Sequence, residues 1–260
     1  MKPLRFRYAL SLFQLTVDLA FVSAALWTFG RRRLRAMRCL ATLLLALISA
    51  PAGANELDAL LQEAKLLGAP VAAVARAIET SRQPAFAKKD ALAVFDIAQP
   101  SAKKRFYLLD LKSGHVTAHY AAHGKHNGPN AKATKFKGFQ TDLDMVPLGP
   151  LKTTHSEVMD HYKTIVDRYD GTVYPNMKVV TLEGVTSYNN YINRTPPFKW
   201  IIHPNWYTTA AFRAKNNGML GRSNGCITLD PVENNQLITR LEGGALVYVT
   251  VGDDPIEKYF

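Results

Sequence analysis

Cysteine is nearly absent: the 260 residues hold two, Cys39 and Cys226. That excludes a disulfide-stapled scaffold. Compositional bias is also missing. Apolar residues make up 47%, charged residues 20%, and 16 Gly and 14 Pro are spread along the chain. Disordered and collagen-like chains are excluded on that ground. No repeat with a period of about 20–50 residues is visible, so a solenoid is excluded as well. The length suits one domain of roughly 150–250 residues, with or without a small appendage.

Acidic residues are almost missing from the first 54 positions. Asp18 stands alone there against Lys2, Arg5, Arg7, Arg31, Arg32, Arg33, Arg35 and Arg38. Most of the formal charge of +11 therefore sits in this segment, and residues 55–260 keep 24 basic against 20 acidic groups. A net charge of +4 is no nucleic-acid footprint, so no nucleic-acid partner is expected. Tyr8 to Gly30 is apolar except for Gln14 and Asp18, and its 23 residues exceed the roughly 20 that span a bilayer. After the arginines comes a shorter apolar run, Leu40 to Ile48, ending in Ala52-Gly53-Ala54. With Met37 and Arg38 in front, it has the parts of a secretory signal.

Two readings follow. Either translation starts at Met37 and residues 1–36 are an upstream artefact, or residues 8–30 are a membrane anchor. The first is preferred, because a complete signal lies inside the chain and Asp18 would be costly at mid-membrane. Both export the rest of the chain to the periplasm or cell wall. A buried helix over 37–54 is the plain alternative, disfavoured by the small residues and Pro51 at its end. The expected division is an export region at 1–54, a helical segment and linker at 55–90, and a catalytic domain at 91–260. A monomer is expected.

Exported chains meet an oxidising compartment, where cysteines normally pair. Cys39 precedes the apolar run and leaves with the signal. Cys226 is then a lone thiol, either used as a nucleophile or inert in the core.

Two short helices are expected between Asn55 and Ser81, with Asn55 as a cap, Gly68 as the break and Pro70 opening the second. Strands are expected over Ala91–Ile97, Arg105–Leu111, His115–His123, Val146–Thr153, Met177–Glu183, Phe198–His203, Gly225–Leu229 and Ala245–Val251. A helix should run from about Asn205 to Lys215. Another should open at the capping box Asp230-Pro231-Val232-Glu233 and end at Leu241. The result is a β-rich α+β domain. The polar Gly124–Gly138 stretch reads as a loop flanking a site.

His115, His119, His123 and His126 invite a metal reading. On a strand, however, four residues at about 3.3 Å each hold them roughly 13 Å apart, too far to share an ion. His155 and His161 read as solvated. No metal or organic cofactor is expected.

The sharpest segment is Gly221-Arg222-Ser223-Asn224-Gly225-Cys226. Low bulk beside a nucleophile lets a carbonyl approach, and glycine allows the turn that aims amide N–H groups at an oxyanion. A thiolate at neutral pH needs a nearby base or positive charge. His203, ending Trp200-Ile201-Ile202, is the candidate base; a structural histidine is the alternative.

These residues carry a family resemblance. From about Leu92 to Val251 the chain resembles the YkuD-type catalytic domain of murein L,D-transpeptidases. The matching stretches are Ile97-Ala98-Gln99-Pro100-Ser101 with Arg105–Leu111, Ala122-His123-Gly124-Lys125, Pro147–Thr153, Ile201-Ile202-His203 and Gly221–Cys226. Their order is more specific than any one of them.

The resemblance implies a β-sandwich-like domain with capping helices and a cysteine acyltransferase acting on peptidoglycan stem peptides. Cys226 would attack the carbonyl of the third residue of a tetrapeptide and expel the terminal D-Ala. A second stem's amine would resolve the thioester into a 3→3 cross-link. Water in its place would make an L,D-carboxypeptidase. His203 would move the proton and Ser223 would orient His203 or the substrate. Backbone at Asn224 and Gly225 would hold the oxyanion, while His123, Gly124, Arg222 and Thr228 would contact substrate. The chain departs from the family pattern at Asn224, usually His; at Thr228, often Arg or Asn; and at Pro204, often Gly. Arg222 or Lys199 could supply the missing positive charge. A non-catalytic wall-binding domain and a sortase-like thiol enzyme are the competing classes. The dozen residues after Cys226 hold no Arg, which weighs against the sortase.

Overall fold

The computed structural model describes residues 52–136, 144–194 and 199–260. The apolar stretch 8–30, residues 37–51 of the signal-like run, Lys137, Gly138 and Phe198 lie outside the described residues. Among the described residues no helix is long and apolar enough to cross a membrane.

Two helices come first, α1 (Ala52–Leu66) and α2 (Val71–Ser81). The break expected at Gly68 is present, with φ +83°. Asn55, however, lies inside the first turn of α1 instead of capping it. Strands β1 (Ala91–Asp96), β2 (Phe106–Asp110), β3 (His115–His119) and β4 (Ala121–Ala122) follow. Next come β5 (Gly149–Glu157), a hairpin of β6 (Thr164–Val166) and β7 (Val173–Pro175), then β8 (Val179–Gly184) and β9 (Ile201–Pro204). The last elements are α3 (Ala210–Lys215), β10 (Ile227–Leu229), α4 (Pro231–Leu241) and β11 (Leu246–Thr250).

The fold is the β-rich α+β class expected. Among the described residues nine strands join one continuous mixed sheet in the order β3-β2-β1-β11-β5-β8-β9-β10-β4, and β6 pairs with β7 in a separate two-stranded sheet. Central β1 and β11 pair in parallel, Leu92 opposite Leu246. Their unbroken apolar runs have a physical reason: both faces of the sheet are covered there. Ala93, Phe95, Val247 and Val249 point into one core with Leu237, Ile238 and Leu241 of α4. Leu92, Val94, Leu246 and Tyr248 point into the other with Leu60 and Ala64 of α1 and Val74 and Ile78 of α2. The period-2 alternation thus divides two cores, each buried aliphatic side chain contributing about 1.5–3 kcal/mol.

Helix α4 starts as its sequence demands, with Asp230 Oδ1 accepting from Val232 N at 3.1 Å and Pro231 in the first turn. Glu233, the expected second half of the capping box, instead faces His119 Nδ1 at 2.9 Å. The helix expected over 205–215 is split into a 3-10 turn at Trp206–Thr208 and α3. Thr209 forces the split by capping α3, its hydroxyl accepting from Phe212 N at 3.2 Å. The hairpin β6–β7 was not expected. Its signal is present in Ile165-Val166 and Val173-Tyr174 on either side of Asp170-Gly171. The strand expected over 115–123 is interrupted at Tyr120, and its histidines part company. His115 faces Glu63 at 3.6 Å, His119 faces Glu233, and His123 meets Arg105.

Candidate active site

Three neighbouring strands build the site. Strand β10 lies between β9, parallel to it, and β4, antiparallel. Thr228 is thereby opposite His203 on one side and Ala122 on the other. Thr228 and His203 therefore share one sheet face, and Cys226 directly precedes β10 at the end of its loop.

The loop carrying Cys226 is fixed by backbone. Ser223 bridges to Gly124, with Ser223 N donating to His123 O at 2.9 Å and Lys125 N donating to Ser223 O at 2.8 Å. Gly225 turns the chain at φ +95°, a conformation that disfavours any side chain. Among the described residues, the N–H groups of Asn224, Gly225 and Cys226 donate no hydrogen bond. They stand beside the thiol of Cys226, which is free and half-buried.

His203 is 3% exposed. Its Nδ1 donates to Pro204 O at 2.9 Å, which leaves Nε2 as the acceptor nitrogen of a neutral ring. Nε2 lies 3.2 Å from the Thr228 hydroxyl, and that hydroxyl lies 3.1 Å from the Tyr207 phenol. Tyr162 covers the ring face at a centroid distance of 4.3 Å. Burial pushes the imidazole pKa down to about 4, against the Pro204 carbonyl and with a further push from nearby His161. Burial pushes the Cys226 thiol up to about 11, partly offset by the Ile201 N–H. Both shifts favour a neutral thiol beside a neutral imidazole. Among the described residues no hydrogen bond joins Cys226 Sγ to His203. The two are neighbours through their surroundings: a charge on the Cys226 sulfur raises the pKa of both Tyr162 and Tyr207.

Other expected site residues have different places. Ser223 is 3% exposed and its hydroxyl donates to the Cys226 carbonyl at 2.5 Å, which braces the loop. His123 is fully buried. Its Nδ1 accepts from Arg105 Nη2 at 2.7 Å and its Nε2 donates to Pro129 O at 3.2 Å, which leaves no nitrogen for a ligand. Gly124 is a close-approach glycine: a Cβ there would fall 2.2 Å from Asp144 O and 3.0 Å from Gly225 Cα. Thr228 is fully buried and faces His203 instead of a substrate. Asn224 and Arg222 are exposed, and Arg222 Nη1 donates to Lys125 O at 3.2 Å and Gly128 O at 2.9 Å. Lys199 pairs with Glu157 at 3.9 Å.

Three residues were missed. Arg105 is fully buried and ties the carbonyls of Ile97, Gln99 and Ala121 to His123. Only its position at the head of an apolar strand could have marked it. Tyr162 and Tyr207 come from loops with no spacing rule to His203. The β6–β7 hairpin that follows Tyr162 is docked by Arg168 over Trp206 at 4.3 Å and by Tyr169 against Phe212 at 5.8 Å.

A lone thiol, an imidazole one strand away and bare N–H groups make an arrangement suited to acyl transfer. The family model described as the L,D-transpeptidase catalytic domain matches residues 65–250, and the chain belongs to that family. No curated protein matches the chain. Similar solved structures include Bd1075 of Bdellovibrio bacteriovorus, with 12% identity, 65% of this chain and 50% of that one covered, and a TM-score of 0.38. The L,D-transpeptidase 1 of Mycobacterium tuberculosis is 18% identical, with 62% and 61% covered and a TM-score of 0.30. An L,D-transpeptidase from Stackebrandtia nassauensis is 15% identical, with 74% and 75% covered and a TM-score of 0.32. The chain thus spans half the length of Bd1075 and less than two thirds of the mycobacterial enzyme.

Proposed function

We propose that the chain is an exported peptidoglycan L,D-transpeptidase with Cys226 as nucleophile and His203 as general base. The observation that carries this is the thiol immediately before β10 and the Nε2 acceptor on the neighbouring parallel strand β9. Cys226 Sγ attacks the carbonyl of the third stem residue. As the S–C bond forms, the thiol proton passes to His203 Nε2, and the oxyanion takes the N–H groups of Gly225 and Cys226. Collapse breaks the C–N bond to the terminal D-Ala, and Nε2 returns the proton to the leaving amine. An acceptor amine then attacks the thioester, gives up its proton through Nε2, and releases Cys226 as a thiol. Burial raises the thiol and lowers the imidazole, which disfavours a separated thiolate–imidazolium pair and supports proton transfer during the attack. Exposed Arg222, beside the loop, is the candidate contact for a stem carboxylate.

Mass spectrometry of the full chain with tetrapeptide muropeptides, and separately with a carbapenem, tests this reading. A covalent adduct on the peptide holding Cys226, with a cross-linked dimer, is expected. Release of D-Ala with no dimer would make the chain a carboxypeptidase. No adduct and no product would overturn the assignment.

A further inference from the structure

We propose that Thr228 and Tyr207 form a two-hydroxyl chain that positions His203 and reverses direction when the imidazole takes up the thiol proton. The inference rests on His203 being the base of the proposed reaction. It begins with a counting argument. His203 Nδ1–H is committed to Pro204 O at 2.9 Å, so neutral Nε2 has one lone pair and needs one donor. The Thr228 hydroxyl at 3.2 Å supplies it. That hydroxyl then has an oxygen free to accept, and the Tyr207 phenol at 3.1 Å supplies the donor. The resting order is Tyr207 O–H to Thr228 oxygen, then Thr228 O–H to Nε2.

Once Nε2 carries the thiol proton it becomes a donor, and the same atoms still satisfy it. Nε2–H donates to the Thr228 oxygen and the Thr228 O–H turns to the Tyr207 oxygen. The rotations come first: the Thr228 O–H swings off the single Nε2 lone pair to the Tyr207 oxygen, the Tyr207 O–H turns away from Thr228, and the freed lone pair takes the thiol proton. Few other side chains would serve both states. A carboxylate here would hold a permanent imidazolium, and an apolar side chain would leave a buried N–H unpaired, which costs about 1–3 kcal/mol. The site is dry enough for this to matter, since Thr228 is fully buried and His203 is 3% exposed.

The groups facing the imidazole are Tyr162 over its ring, His161 behind it, Tyr207 beyond Thr228, and Cys226. None is a carboxylate. Tyr207 stays a phenol, because burial raises its pKa further above the usual tyrosine value. The chain therefore adds no charge to the resting site and hydrogen-bonds Nε2 in both the neutral and the charged state of His203. Thr228 stands where the family pattern often has Arg or Asn, and the phenol meets it from a turn 21 residues away in sequence. Thr228 and Tyr207 are positioning residues: they act through His203.

The test uses the full chain as wild type, Thr228→Val, Thr228→Ser and Tyr207→Phe. Two readouts are taken, the 15N imidazole resonances of His203 and the rate of carbapenem acylation at Cys226 by mass spectrometry. In the wild type the Nδ1–H tautomer with a hydrogen-bonded Nε2 is expected. Thr228→Val should shift the Nε2 resonance and lower the maximal acylation rate about tenfold or more, with the carbapenem concentration for half-maximal rate unchanged. Thr228→Ser should restore both. Tyr207→Phe should give a smaller loss of rate. An unchanged Nε2 resonance in Thr228→Val overturns the proposal, and so does equal slowing by Val and Ser. A wild type that is never acylated sinks the transpeptidase reading instead, while the resonances still decide whether the hydroxyl chain exists.

Discussion

Arg105 Nη2 lies 2.7 Å from His123 Nδ1, a guanidinium donating to an imidazole in a fully buried site. The other guanidinium nitrogens donate to the carbonyls of Ala121, Ile97 and Gln99. Burial lowers the Arg105 pKa to about 9, with Asp96 opposing, so the charge is retained at neutral pH. The His123 carbonyl in turn accepts from Ser223 N. One buried cation thus supports the segment on which the Cys226 loop is hung.

Arg105→Met is therefore expected to lose about 3–5 kcal/mol, because one change orphans several buried acceptors. A denaturant midpoint measured against wild type checks this. Arg105→Lys should recover only part, since a single ammonium cannot span four directions.

Acid should unfold the chain earlier than its carboxylates alone would dictate. His123 is held neutral, its pKa pushed down to about 3 by burial and by Arg105, and His203 is pushed down to about 4 by burial. Both folded values lie below the unfolded value of about 6.5, so the unfolded chain binds more protons. Stability from these two sites is complete above about pH 6.5 and is lost as pH falls toward the folded values. Between pH 6 and 5, unfolding should take up about 1.5 to 1.8 extra protons from this pair. The slope of unfolding free energy against pH, with His123→Asn reducing it, is the measurement.

The thiol of Cys226 should be slow toward iodoacetamide. A free cysteine titrates near 8.5, whereas burial moves this one to about 11. The alkylation rate should keep rising past pH 9 and stay below that of a cysteine peptide at pH 8. A plateau near neutral pH would mean an ion pair with His203.

Gly124→Ala should damage the site from outside it. The added Cβ would meet Asp144 O at 2.2 Å and Gly225 Cα at 3.0 Å, both backbone atoms that cannot swing aside. A cost of about 1–3 kcal/mol is expected. Carbapenem acylation at Cys226 should fall further than the stability loss explains. A thermal midpoint and an acylation rate, taken together, separate the two effects.

Much of the architecture was legible in the sequence. Leu92 to Phe95 and Leu246 to Val249 read as strands because burial on both faces leaves only apolar residues. Helix α4 read correctly because Asp230 and Pro231 act locally. Cys226 and His203 stood out through compartment chemistry and family resemblance. What failed depended on approach in space. His123 looked like a site residue until Arg105, 18 positions away, was seen to occupy it. Thr228 looked like a substrate contact because pairing of β9 with β10 is invisible along the chain. Tyr162 and Tyr207 reach His203 from loops whose spacing no periodicity sets.

The strand nearest the chain's far end, β11, is hydrogen-bonded between β1 and β5 in the middle of the sheet. Every ribosome-bound precursor that stops short of Leu246 is missing the plank that joins the two halves. Neither hydrophobic layer can close until that plank arrives, and its contact with β1 spans some of the longest sequence separations in the molecule. Closure of the sheet thereby waits on Leu246–Thr250, and the two layers on either side of β11 are completed together when that strand docks.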